Sequence, residues 1–491
     1  MTFERGGMRG CAALLLGLSL SAASAQAPAP TPVSAQTMMR WIAQIEAQGE
    51  RRPGYAADQW TERWAQRQFQ AFGLEQVRLE PVPVMQWTPR RWSLRVWHPQ
   101  QPQKVLELPS YPVPMSAAGS VEADLRLEAE GVAAEGSILV SRSRLLSMAH
   151  SQMRQIARWD FDPLRELDGR VQTLPVPDRF ANPLDQAVEA RALGLIGILD
   201  FPWETDRYFY PYDGKARAIP GVWLSAANGK RLLEFMAQGP TRARLELQRD
   251  LVVSMSHNLI GTLPGRSSEW IVIGSHHDGP WQSAVEDASG TALVMAQARY
   301  WSRLPREQRP FNLMFLLNGG HMSGGAGLLQ FAQVHKAFLQ QQVVTEIHLE
   351  HAAREMRAQD GQLQATGRPE VRWWFTSFVP RLEEVVTQAI CAENLQRSLL
   401  MPVEGFPEGS RHPPTDAAFF HPLTPIVSFL TAPMYLFDAQ DRLDKVDVDS
   451  LEPLTRATIR IIQGLDGVSA AQLREQAYQP PRSTPLPSCA S

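Results

Sequence analysis

Between residues 257 and 465 short apolar runs alternate with segments of helical spacing. These are WIVIGSHH, SGTALVMAQARYWSRL, FNLMFLLNGGH, the stretch from Leu328 to Leu339, and VVTEIHLE. The alternation predicts an α/β domain whose central sheet is mixed, largely parallel and flanked by helices. A further helix is expected over 381–400, a buried strand at TPIVSFL, and a closing amphipathic helix at DSLEPLTRATIRIIQGL. Upstream, residues 35–72 hold two helix-like segments, the second running from Ala56 to Phe72. Its Trp60, Trp64, Phe69 and Phe72 recur at helical spacing, as a core face does. The strand-like stretches VRLEPVPV and RRWSLRVW follow.

From Leu106 to Leu251 the texture changes to short strands broken by Pro and Gly. This predicts a β-rich unit over 106–251, inserted between an N-terminal part over 35–105 and a core over 252–466. Within it ARALGLIGILDF reads as a helix end, a turn and a strand, and IPGVWLSAANGKRLLEFMAQG as a strand, a turn and a helix. At the N-terminus Arg5 and Arg9 precede an apolar stretch and the small-residue run Ala23-Ser24-Ala25, the pattern of a cleaved signal peptide over 1–25. That apolar run is shorter than the roughly 20 residues that span a bilayer, so no stable membrane insertion is expected after cleavage. A linker over 26–34 and an unstructured tail over 467–491 complete the organisation. The expected location is the periplasm or the exterior.

Composition narrows the function. With 48 Lys and Arg against 51 Asp and Glu, the net charge of −3 argues against a nucleic-acid partner and for a peptide or small molecule. Three cysteines exclude a disulfide scaffold and a thiolate zinc ribbon, so a metal would have to sit on His and carboxylates. Cys391 and Cys489 are able to pair in an oxidising compartment, although Cys391, in the predicted helix with Leu382, Val385 and Ile390, better fits a buried thiol.

In open α/β sheets ligands sit outside the carboxyl ends of the strands. The predicted strands end at His276, with Asp278 two residues on, at His321 and at Glu350; Glu286 and Asp287 precede a helix, and Asp416 precedes TPIVSFL. Three strands each delivering His or Glu at one end, in a chain with 11 His, is a pattern that composition does not explain. Imidazole with carboxylate is the ligand set of a hydrolytic zinc site. Taken singly, His276 fits a core histidine, Glu286 or Asp287 a helix cap, Glu350 half of an ion pair, and Asp416 a brace for a Pro-rich loop.

The words around these positions are NLIGTLPG, GSHHDG, EDASG, GGHMSGGAG, IHLEH, PPTDAAFFHPLTPIVSF and LDKVD. In order and spacing they resemble the exported zinc aminopeptidase and glutamate carboxypeptidase family over most of residues 35–465. The inserted unit likewise resembles the protease-associated domain of exported peptidases. The resemblance implies a zinc-exopeptidase fold and a two-metal site held by His, a bridging Asp, Glu, an acidic residue and a second His, with another Glu as general base. Carried over, the first His is His276, with Asp278 orienting the ligands; the bridging carboxylate is Glu286, and the acidic ligand after the fourth strand is Glu350. The paired glutamates fall on His321 and Met322, the last His falls on Asp416, and a further family His aligns near Phe437.

A thioether is a poor ligand for such ions. The resemblance therefore implies one firmly held zinc on His276, Glu286 and Glu350, with Asp416 on a damaged second subsite. His321 is able to serve as the base, to swing in as a ligand with His412 or His421 as other candidates, or simply to fill space. The expected activity is hydrolysis of terminal peptide or amide bonds by metal-activated water. The alternative is a pseudo-peptidase that binds peptide or a partner protein. A monomer is expected, because the chain ends soon after the closing helix.

Overall fold

The computed structural model of the protein describes residues 1–2, 30–129, 133–178, 182–404, 413–476, 486 and 489. The signal-peptide reading beyond Thr2, His412 and most of the terminal QPPRSTPLPSCAS stretch lie outside the described residues.

The chain opens with two helices. Ala35–Glu46 starts at Ser34, whose hydroxyl accepts the Thr37 N–H, and buries Met38, Trp41, Ile42 and Ile45 along one stripe. Ala56–Ala71 buries Trp64, Ala65 and Phe69, and on the same helix also buries Asp58 and Glu62. The two strand-like stretches that follow are one strand, Glu75–Trp97, because a register shift between Pro89 and Arg91 takes up the irregularity as a bulge. It pairs antiparallel along nearly its whole length with Arg242–Leu263.

Both parts of the molecule grow from this ribbon. At one end Arg242–Leu247 pairs with Gly119–Leu127, and the sheet continues in parallel through Ile138–Ser143, Gly194–Leu199 and Gly221–Leu224. At the other end Leu259–Leu263 pairs antiparallel with Asn312–Asn318. The order then runs to Trp270–His276, Val343–Leu349 and Ile426–Thr431, all mutually parallel, and on through Arg372–Thr376 and Ser398–Pro402. The central strands are apolar and buried on both faces, as parallel strands covered by helices must be. Their shared direction brings the ends at His276, Asn318 and Leu349 to one edge of the sheet.

Several expectations shift. The helix expected over 381–400 spans Pro380–Ala392, and Ser398–Pro402 is a strand; Asn394 and Arg397, at φ 49° and 59°, make the turn between them. The helix from Leu328 to Leu339 is two, Ala326–Val334 and Lys336–Gln341, divided at His335. The tail expected to be unstructured contains the helix Ala470–Gln476. Cys391 is not a free thiol: it is joined to Cys489 by a disulfide, with Cα atoms 5.2 Å apart. No helix among the described residues is long and apolar enough to cross a membrane.

Candidate metal centre

The loop after Trp270–His276 carries Asp278, Glu286 and Asp287, and it is framed by residues distant in sequence. Arg51, fully buried, donates to the carbonyls of His277 (2.8 Å), Gln282 (2.5 Å), Ser283 (2.8 Å) and Glu286 (3.2 Å). Asp441 accepts the main-chain N–H groups of Val285 and Glu286, each at 2.8 Å. Asp287 accepts from Gly290 N–H (2.8 Å), His351 N–H (3.2 Å) and the Ser275 hydroxyl, so it fits the helix-cap reading. Gly290 makes this packing possible, since a Cβ there would lie 2.2 Å from Asp287 Oδ2 and 2.3 Å from the Leu349 carbonyl. The frame leaves the Glu286 side chain free to face the ends of the neighbouring strands.

Three imidazoles surround Glu286. His276 Nε2 lies 3.6 Å from its Oε1, His321 Nε2 3.3 Å from the same oxygen, and His351 Nε2 2.5 Å from its Oε2. The Nδ1 atoms face outward: His276 Nδ1 sits 3.0 Å from the Asp278 carbonyl, His351 Nδ1 2.9 Å from the Thr431 carbonyl, and His321 Nδ1 2.7 Å from Asp416 Oδ1. An Nδ1–H pinned to an oxygen fixes the tautomer and turns the Nε2 lone pair inward. His276 Nε2, His351 Nε2 and both Glu286 carboxylate oxygens are buried with no aligned hydrogen-bond partner. Ligand-capable atoms of His276, Glu286 and His351 all lie within 4.8 Å of one another. Two oriented imidazoles and a carboxylate, buried together with unsatisfied inner atoms, fit a zinc ion.

The electrostatics of this donor set are those of a tightly paired cluster: burial opposes the charge on His351, but Glu286 and Asp287 push its pKa up to about 10, so taking an ion there would release its proton. Burial, reinforced by the neighbouring His321, holds His276 well below the ordinary imidazole range, so it is neutral and able to ligate. Burial would raise Glu286, but His351 and His321 hold it well below the usual carboxylate range, and it is ionised. Burial likewise opposes the charge on His321, yet Asp416 and Glu286 push its pKa well up.

The turn that carries His321 keeps its backbone through Asp278. The Asp278 carboxylate does not reach His276, at 3.9 Å; it accepts the N–H groups of His321 (3.1 Å) and Met322 (2.8 Å). Gly320, at φ +77°, makes the tight entry to this turn. Met322 is buried in the core, and the His321 ring stacks on His276 with centroids 4.0 Å apart. On its outer side His321 is roofed by Tyr212, whose ring lies 5.6 Å away and also meets Phe437. Phe437 thus belongs to the wall of the site.

Glu350 stands apart from the expected trio. It groups with His348 and Asp416, accepts the Thr415 hydroxyl at 2.8 Å, and is pushed up to about 7 by burial and by Asp416. The place beside His276 and Glu286 is taken instead by His351, which the sequence reading missed although it closes IHLEH. Its φ of 52° folds the ring back toward Glu286, and neither spacing nor strand periodicity announces such a turn. His348, Arg51 and Asp441 were missed as well.

Residues 258–398 match the model of peptidase family M28. No curated protein matches the chain. Among solved structures, the chain is similar to the peptidase M28 precursor from Shewanella amazonensis SB2B, at 17% identity and a TM-score of 0.65 over 93% of this chain and 96% of that one. It is also similar to BSAP, a zinc aminopeptidase from Bacillus subtilis, at 14% identity and a TM-score of 0.62 over 90% of this chain and 98% of that one. A third is an aminopeptidase from Aneurinibacillus sp. strain AM-1, at 17% identity and a TM-score of 0.60 over 92% of this chain and 98% of that one. Over most of its length the chain therefore has the fold of these peptidases, and over residues 258–398 its sequence matches family M28.

Proposed function

We propose that the protein is an exported metal-dependent hydrolase that cuts peptide or amide bonds near a chain end, with one zinc ion held by His276, Glu286 and His351. The observation that carries this reading is the set of buried, unsatisfied His276 Nε2, His351 Nε2 and Glu286 oxygens at the carboxyl ends of parallel strands. The match to a peptidase family supports a peptide substrate. The disulfide supports export, because such bonds persist in oxidising compartments. We read the protein as a monomer without a nucleic-acid partner, and residues 106–251 as an inserted unit.

A zinc ion in this place would supply Lewis acidity toward a scissile carbonyl. His321, held to Asp416 and close to Glu286, is positioned to move protons at Nε2. Asp278 serves by fixing the turn on which His321 stands. Glu350, His348 and Asp416 form a second buried group of ligand-capable side chains, joined to the first through the contact of Asp416 with His321, while Met322 packs in the core and offers no good ligand. The rival reading, a pseudo-peptidase that binds peptide or a protein, is favoured by Met322 and by the Tyr212 ring over His321.

His276→Ala decides between them. We expect the variant to fold, to lose the zinc of this centre and to lose at least about 100-fold in turnover of aminoacyl or acyl-amino-acid amides. Wild-type protein that holds no zinc here and hydrolyses none of these substrates would favour the binding module. Unchanged turnover in the variant would remove the assignment of the centre.

A further inference from the structure

His276 and His277 leave the strand end toward opposite sides, and the second of them reaches the N-terminal helix Ala56–Ala71. Asp58 and Glu62, four residues apart on that helix, face it, and all three side chains are fully buried. Each has one polar atom engaged outward. Asp58 Oδ2 accepts the Gly54 N–H at 2.8 Å, Glu62 Oε1 lies 2.8 Å from His257 Nδ1, and His277 Nε2 lies 2.8 Å from the His257 carbonyl. The second atom of each, Asp58 Oδ1, Glu62 Oε2 and His277 Nδ1, is buried without a hydrogen-bond partner. His277 Nδ1 is 2.9 Å from Asp58 Oδ1 but misaligned for a hydrogen bond, and ligand-capable atoms of the three residues lie within 4.8 Å of one another.

Every outer atom fixed and every inner atom unsatisfied is the arrangement by which surrounding groups orient metal ligands. Two buried carboxylates also require positive charge, which without an ion falls to His277, pushed up to about 9 by Asp58 and Glu62 against the cost of its burial; a divalent ion would take over that role and release the proton. Arg51, whose charge reaches Asp58, directs its donors to main-chain carbonyls and to neither carboxylate.

We propose that Asp58, Glu62 and His277 form a separate structural site for a divalent cation of the zinc class, clamping the N-terminal helix to the strand end that bears His276. Two oxygens and one imidazole nitrogen suit such an ion, whereas calcium takes oxygen ligands. The role is structural because the ligands are closed off from solvent. The proposal is independent of the reading of the His276 centre, since the two sites share no ligand.

The test is zinc titration of chelator-treated full-length protein, paired with crystals grown with zinc and measured at the zinc absorption edge. We expect Asp58→Asn and Glu62→Gln each to bind one equivalent fewer than wild type, while His276→Ala loses a different equivalent. An anomalous peak is expected between Asp58 and His277. If the His276 centre binds nothing, wild type takes one equivalent and Asp58→Asn none. Equal zinc uptake by wild type and Glu62→Gln, or a zinc-edge map without that peak, overturns the proposal. The map on wild type keeps the test decisive should Asp58→Asn fail to fold.

Discussion

The loop that carries Glu286 and the turn that carries His321 face each other across the candidate centre, and they are built on different terms. In the loop, framing and chemistry are interlocked: Arg51 and Asp441 seize its main chain, Asp287 ties it to Gly290 and His351, and Glu286 projects from the result. In the turn they are separable. The Asp278 carboxylate holds the backbone of His321 and Met322 whatever side chains they bear. Where the resemblance implies two glutamates the turn carries His321 and Met322, whereas in the loop the implied Asp is still an acid, Glu286. A position held through its main chain, as His321, Met322 and Glu286 are, is free to change its side chain, whereas Asp287, whose own carboxylate ties Gly290 and His351 to the loop, is not.

Breaking the loop should have the largest effect. Arg51→Met would leave several buried carbonyls without a donor, and we expect a loss of about 3–5 kcal/mol in denaturant unfolding, together with weaker zinc retention. A loss below about 1 kcal/mol would show that the loop frames itself. Changing the turn should instead affect chemistry at little cost in stability. His321→Ala is expected to retain zinc and lower turnover by roughly 10²–10⁴-fold, the range of a lost general acid or base. Turnover equal to wild type would leave the turn without a proton-moving role.

A buried acid outside both regions gauges how much pH dependence belongs to the rest of the fold. Glu370 accepts the Val371 N–H at 2.9 Å and the Gln172 amide at 3.3 Å, and burial followed by Glu355 pushes it up to about 7. With the folded value raised, the protonated acid is the form that fits. Its contribution is complete below the ordinary value of 4.5 and is lost as pH rises through about 7. Glu370→Gln should therefore stabilise the protein by about 1–2 kcal/mol at pH ~8 and have little effect at pH ~4. A gain of equal size at both pH values would mean that the carboxyl's charge is not the cause.

The sheet and the strand-end residues were readable because buried parallel strands are continuous apolar runs and their carboxyl ends are where ligands gather. His276, Glu286, His321 and Asp416 do meet there. The remainder was hidden for identifiable reasons. The part played by His351 depends on a left-handed backbone angle, and that of Glu350 on which neighbour it turns toward. Arg51 acts across 226 residues of sequence, and Asp58 and Glu62 look like ordinary polar positions of a helix until the fold buries them. The helix end at Ala392 was missed because the apolar SLLMP that follows continues the hydrophobic run with a different geometry.

The bond between Cys391 and Cys489 closes a ring over 98 residues of sequence. Inside it lie Asp416, the strand Ile426–Thr431 and the whole closing helix Val448–Gly464. A threading protease that approaches from the carboxyl side of Cys489 therefore meets a closed loop, and must draw two chains through its pore or stop. The segment that completes one wall of the candidate centre is thus guarded by topology as well as by packing, and reduction of a single bond would open that route.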